Sequence, residues 1–130
     1  MQIAVFGAGS GLGFEIAKYC ASQGVAVFAI GRTATQNRQL NDFCKGVYDC
    51  DATDKAAVKG IIETLPNSVA IISTMGSFSA TTPVDYIEHR HLIDLLESSD
   101  FSNKDISRFI LITSLGSICP LKQNWALAQR

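Results

Sequence analysis

An α/β fold, a doubly wound parallel sheet of about five strands in the order 3-2-1-4-5, is predicted by three features of the sequence. Short apolar runs alternate with amphipathic stretches along the chain, the pattern of parallel strands joined by right-handed crossovers with helices on both faces. Four glycines fall within the seven residues from Gly7 to Gly13, between the first run and the first helix. Polar and glycine-containing segments then recur after successive runs, where the carboxyl ends of parallel strands share one rim.

The elements follow in order. Residues 2–6 (Gln-Ile-Ala-Val-Phe) are a short apolar run suited to a buried parallel strand. Beyond the glycines, Phe14, Ile16, Ala17 and Ala21 recur at helical spacing and predict a helix over 11–23. Residues 25–30 form a second buried strand. A helix over 35–44, a strand at 46–48, a helix over 54–64, a strand at 69–73, a helix over 83–98 and a strand at 108–113 complete the alternation. Asp54 is placed to cap one helix, and Pro83 suits the first turn of another.

Glycines between a strand and a helix let backbone approach a ligand and adopt angles that side chains forbid. The helix starting there aims unpaired N–H groups and a partial positive charge into the turn, which suits a diphosphate. A turn with no ligand accounts for one or two glycines, but hardly for four. Gly7 and Gly9 fit the first two positions of G-x-G-x-x-G, whereas Leu12 stands at the third. Gly7, Gly11 and Gly13 instead satisfy G-x-x-x-G-x-G. The segment reads as a dinucleotide-binding opening. The second strand ends Ile30-Gly31-Arg32-Thr33, without the acid that accepts from the adenosine ribose in NAD-selective sites. Arg32 can pair with a 2′-phosphate, and Ser10 and Thr33 add neutral donors, so NADP(H) is favoured over NAD(H). The alternative for Arg32 is a solvated loop arginine.

The spacing of Gly7, Gly11 and Gly13 resembles that of the short-chain dehydrogenase/reductase superfamily. Asp49-Cys50-Asp51-Ala52-Thr53-Asp54 is similar to the acidic stretch ending its third strand, and Ile71-Ile72-Ser73-Thr74-Met75-Gly76 to its fourth strand's end, without the Asn-Asn-Ala-Gly of classical members. The run from Arg108 to Gly116, after a helix opening at Val84-Asp85-Tyr86, is similar to the atypical branch. That branch includes NmrA-like and flavin- or biliverdin-reductase-like NAD(P)H-binding proteins. The resemblance implies one Rossmann-like NAD(P)-binding domain over residues 1–130. It brings the Asp51 carboxylate or the Ala52 amide to the adenine, although Asp51 also suits a turn or an N-cap. Met75 and Gly76 would pass along the ribose and nicotinamide, while Ser73 and Thr74 either join them or simply finish the strand. Ser114 takes the place of the fifth-strand serine facing the nicotinamide. There it could serve as a catalytic residue orienting a substrate oxygen, or be structural polarity at a strand end. No Tyr-x-x-x-Lys occurs, so the ordinary ketone-reductase proton donor is not encoded.

Full members of that family continue beyond the last residues here, and the helix beginning near Trp125 looks cut short. A shortened product, or a surface supplied by another copy, is the expectation; an exposed fifth-strand edge and Trp125 would both favour a homo-oligomer. At 130 residues, 47% hydrophobic and 18% charged, the chain suits one compact domain. A net charge of −1 without a basic stripe argues against nucleic acid as a partner. The longest apolar runs are far too short for a membrane span, and Met1 leads into the first strand without a signal peptide, so a cytoplasmic location is expected. Cys20, Cys44, Cys50 and Cys119 have no metal-like spacing and read as reduced small hydrophobes; no metal site is expected. His89 and His91 lie two apart on a helix, wrong for shared ligation, and read as solvated. Two functions stand: an NADPH-dependent reductase of a small conjugated acceptor such as a flavin or quinone, or a non-catalytic NADP(H)-binding or sensor module, a truncated inactive domain included. A Rossmann-like protein with an empty site is a third.

Overall fold

The computed structural model describes residues 1–75, 84–101 and 104–112. Five parallel strands, β1 (Gln2–Phe6), β2 (Ala26–Gly31), β3 (Gly46–Asp49), β4 (Ser68–Ser73) and β5 (Asp105–Leu111), form one sheet in the order β3-β2-β1-β4-β5. The order matches the sequence expectation. Between them lie α1 (Gly11–Ser22), a 3-10 turn at Ala34–Gln36, α2 (Gln39–Phe43), α3 (Lys55–Thr64), α4 (Val84–Glu97) and a 3-10 turn at Ser99–Phe101.

Both faces of the inner strands are buried, as the apolar runs require, whereas Ile110 and Leu111 of edge strand β5 are exposed. Strand side chains alternate between two cores because successive residues point to opposite faces. Ala4, Phe6, Phe28 and Ile30 join Val58, Ile62 and Leu92 from α3 and α4. Ile3, Val5, Val27 and Ala29 join Ala17 of α1 and Leu40 of α2. β1 sits at the centre, with Phe6 opposite Ile30 on one side and Ser73 on the other. Its carboxyl end, where the strand order reverses, is therefore the crevice of the sheet.

Three expectations are corrected. The helix expected over 35–44 is two pieces, because Asn37 is extended (φ −87°, ψ 93°). The Asn37 side chain accepts from the Gln39 amide (3.2 Å) and donates to the Gly9 carbonyl (3.1 Å), offering the backbone an alternative to a continuous helix. β5 starts at Asp105, three residues before the expected 108, its polar first residues hiding a strand at the sheet's edge; Thr113 lies outside the described residues. A register shift between Val69 and Ile71 accommodates β5 against β4. The histidines are not solvated: both are half-buried and bonded inward. Asp54 caps α3 as expected, its carboxylate accepting from the Ala56 and Ala57 amides at 3.1 and 3.4 Å. No helix among the described residues is long and apolar enough to cross a membrane.

Candidate functional site

The glycine turn leaves β1 at Gly7, whose φ of 89° belongs to the left-handed region. The Gly7 and Ala8 amides both donate to the Ile30 carbonyl (2.8 and 3.0 Å), tying the turn to β2. On the other side the Thr74 amide donates to the Phe6 carbonyl at 2.9 Å, and the Thr74 hydroxyl donates to the Phe6 and Gly7 carbonyls at 3.1 and 3.3 Å. A Cβ on Gly13 would fall 2.0 Å from the Gly7 carbonyl oxygen, so the first turn of α1 presses directly on the backbone leaving β1. Gly11 differs: its φ is 58° and a Cβ there would meet nothing within 4 Å. Gly13 serves helix–strand packing, and Gly11 keeps the space above the turn clear.

Ser10, the N-cap of α1, is extended and makes no side-chain cap, and no acid stands in the first turn. The first-turn amides therefore lack a side-chain acceptor, and the positive end of the helix dipole carries no local counter-charge. They face a cleft of about 660 Å³ at the carboxyl ends of β1, β2 and β4. Among the expected site residues, Gly7, Ser10, Gly11, Leu12 and Gly13 line it from the turn. Arg32, Ala52, Thr74 and Met75 line it from the other strand ends.

Gly9 and Thr33 are placed elsewhere. They border a shallow neighbouring depression with Gln36, Asn37 and Arg38. The close approach there belongs to Gly31, whose Cβ would stand 3.2 Å from the Gly9 nitrogen, whereas a Cβ on Gly9 would meet Ala34 at an ordinary 3.6 Å. Asp51 is not on the cleft wall either. Its carboxylate accepts from the Thr53 amide (3.0 Å) and hydroxyl (2.7 Å), which holds its pKa below the usual carboxylate value and fits the turn reading. Gly76 and Ser114 lie outside the described residues.

α4 brings in residues that the sequence reading missed. Glu88 is 6% exposed and lines the cleft, its Oε1 3.5 Å from Nη2 of Arg32, whose side chain is 66% exposed. Burial pushes the Glu88 carboxyl above the ordinary glutamate value; the positive charge of Arg32 and then His89 pull it back. Glu88, Leu92 and Leu95 are all buried at i, i+4 and i+7, so a carboxylate within an apolar helical stripe was the signal available. His89 Nε2 lies 2.7 Å from the hydroxyl of buried Ser73, which also accepts from the Met75 amide at 3.4 Å. His91 Nδ1 lies 3.0 Å from the Ala52 carbonyl. These contacts fasten α4 beneath both strand ends that carry Ala52 and Met75. Cys50 also reaches the cleft, but burial raises its thiol to about 11, so it is a poor nucleophile near neutrality. The arrangement can seat a diphosphate on backbone amides and place a cation beside what is attached to it.

The family model described as short chain dehydrogenase matches residues 2–86. Comparison with curated protein sequences finds no match. Among solved structures, the chain is similar to ChuY, an anaerobillin reductase from Escherichia coli O157:H7, at 30% identity and a TM-score of 0.71. The alignment covers 99% of this chain and 61% of that one, so the sequence here spans less than two thirds of that reductase's length. A short-chain dehydrogenase/reductase from Vibrio parahaemolyticus is 16% identical with a TM-score of 0.74, over 98% of this chain and 74% of the other. An NADPH-dependent quinone oxidoreductase, QOR2, complexed with NADPH and from Escherichia coli, is 18% identical with a TM-score of 0.64, over 99% and 45%. The last two likenesses establish shared fold.

Proposed function

Because the chain belongs to the short-chain dehydrogenase family, we propose that its cleft binds NADP(H) and that the protein is an NADPH-dependent oxidoreductase acting on a small conjugated acceptor. The observation that carries the reading is the backbone cradle. Gly7 and Gly13 bring strand and helix into contact, Gly11 leaves the space above them open, and the uncapped amides of α1 face that space. A diphosphate there would accept from these amides without displacing a side chain. Arg32 stands at the end of β2, where the 2′-phosphate of NADP(H) would lie, and favours it over NAD(H). Ala52, Thr74 and Met75 then border the rest of the coenzyme, and Leu12, 56% exposed, offers apolar surface at the mouth.

When bound, the coenzyme supplies the hydride. The chain's own contribution is to bind, orient and hold it against an acceptor, which suits acceptors whose conjugation stabilises the incoming electron pair. ChuY is described as an anaerobillin reductase, and that name supports an acceptor of that class. Calorimetric titration with NADPH and NADH side by side tests the site: micromolar NADPH binding, weaker NADH binding and loss of the difference in Arg32→Ala are expected. NADPH oxidation with flavin and quinone acceptors tests the reaction against a Gly11→Asp variant. Turnover unaffected by that change would remove the reductase reading.

The second reading, a module that holds NADP(H) without turnover, is favoured by the lack of a Tyr-x-x-x-Lys pair in these 130 residues. Binding without oxidation under any acceptor would select it.

A further inference from the structure

We infer that Glu88 sets the coenzyme selectivity of the cleft by holding the charge of Arg32, so that it opposes binding of a 2′-phosphate. The inference rests on the proposed NADP(H) site. Its geometry is a conflict between two features of one wall. Arg32 is the cation that a 2′-phosphate needs, yet a carboxylate from α4 stands 3.5 Å from it, and both line the cleft. Glu88 is nearly buried, its side chain 8% exposed against 66% for Arg32. The carboxylate is therefore the fixed member of the pair, and the guanidinium is the member free to swing.

The charges facing Glu88 come from every element around it. Arg32 and His89 favour its charge, whereas Asp51 disfavours it. Asp51, ionised through its bonds to Thr53, also feels Arg32. One exposed guanidinium thus feels two carboxylates, Glu88 at 3.5 Å on the cleft wall and Asp51 off it, and a dianionic phosphate brought to it enters the field of both. A ribose 2′-hydroxyl meets no such repulsion, because a carboxylate accepts its hydrogen bond. An orienting role for Glu88, in which it would hold Arg32 for the phosphate, needs the close paired contacts of a fork-to-fork bridge. The approach of 3.5 Å, with the side-chain hydrogen bond it allows, is longer than the about 2.7–2.9 Å of such bridges.

Glu88→Gln keeps the shape and removes the charge. NADPH should then bind about tenfold more tightly relative to NADH, the order expected of one charge at a partly screened site. Glu88→Met, an apolar replacement that buried ion-pair members often tolerate, should shift the ratio the same way. Retained NADH binding and a single cooperative thermal transition would report a folded cleft in either variant. In an Arg32→Ala background the shift should shrink, because NADPH no longer has a cation to gain. A folded variant that binds both coenzymes with an unchanged ratio overturns the inference, and so does one that weakens NADPH relative to NADH, which would make Glu88 an orienting group. Wild-type protein that binds neither coenzyme overturns the NADP(H) site itself, and this inference with it.

Discussion

The two ends of the cleft are built from different materials. The glycine turn is built from backbone: the first amides of α1, amides tied to β2, carbonyls tied to Thr74 after β4, and glycines whose missing side chains set the spacing. At the other end, where we propose the adenosine lies, the wall is made by side chains, with Arg32 from the loop after β2 facing Glu88 from α4, 56 residues further on. A backbone site has one solution, because no rotamer can relieve a Cβ placed 2.0 Å from a carbonyl oxygen. A side-chain site is adjustable, since each charge can be removed or moved without disturbing the sheet. In the proposed function the turn therefore carries fold and ligand together, while the charged end tunes which ligand is held.

Gly13→Ala breaks the comparison most severely. The new methyl would meet the oxygen and carbon of Gly7, both backbone, so α1 must move off β1. A loss of about 3 kcal/mol in chemical denaturation is expected, the upper range of overpacking costs, along with loss of coenzyme binding. Gly11→Asp separates the two properties. Its Cβ meets nothing, and aspartate is among the few residues that enter the left-handed region, so stability should fall by about 1 kcal/mol. NADPH affinity should drop at least about a hundredfold as a carboxylate faces the diphosphate. If Gly11→Asp unfolds the protein as Gly13→Ala does, the division between packing glycine and clearance glycine is wrong.

This division also explains what could be read from the sequence. The turn was legible because its requirements are local: Gly7, Gly11 and Gly13 lie within seven residues, between a strand and a helix. The buried strands were legible for the same reason, since Val27 to Ile30 and Val5 to Phe6 advertise burial on both faces. The partners of Arg32, Ser73 and Ala52 were not. Glu88, His89 and His91 meet them only after α4 folds back beneath the rim, and no spacing rule links positions so far apart. Thr74, read as either a lining residue or a strand end, turns out to be both, lining the cleft while its hydroxyl ties β4 to the first two carbonyls of the turn region. Asn37 broke a helix through its side chain, an effect that apolar periodicity does not register.

Thr74→Val sharpens the boundary between the two ends. The substitution keeps the branched shape and removes one hydroxyl that donates to the Phe6 and Gly7 carbonyls. The Phe6 carbonyl keeps the Thr74 amide as a donor, so the expected loss is about 1 kcal/mol, that of an ordinary hydrogen bond. Denaturant midpoints at an unchanged m-value would check it. Coenzyme affinity should weaken while the NADPH-to-NADH ratio stays fixed, because the change acts on the backbone end alone.

The smallest effect is expected from the pH dependence of stability at the charged end. Burial raises the Glu88 carboxyl in the folded protein above its unfolded value, even with Arg32 beside it. The folded state then holds the proton more tightly, and ionised Glu88 costs stability at neutral pH. That cost is relieved as pH falls through the raised folded value towards the ordinary glutamate range. Asp49 and Asp51 behave oppositely: hydrogen bonds from Thr35 and Thr53 lower them, so they stabilise above the ordinary aspartate range and lose that contribution on stronger acidification. Both aspartates are unchanged in Glu88→Gln, so the difference between wild type and variant isolates Glu88. Thermal melts from neutrality down to about pH 4.5 should show the wild type gaining on Glu88→Gln as the solution is acidified. A difference that moves the other way would mean that the pair with Arg32 outweighs burial, and that the carboxylate is a stabilising partner of the guanidinium rather than a strained one.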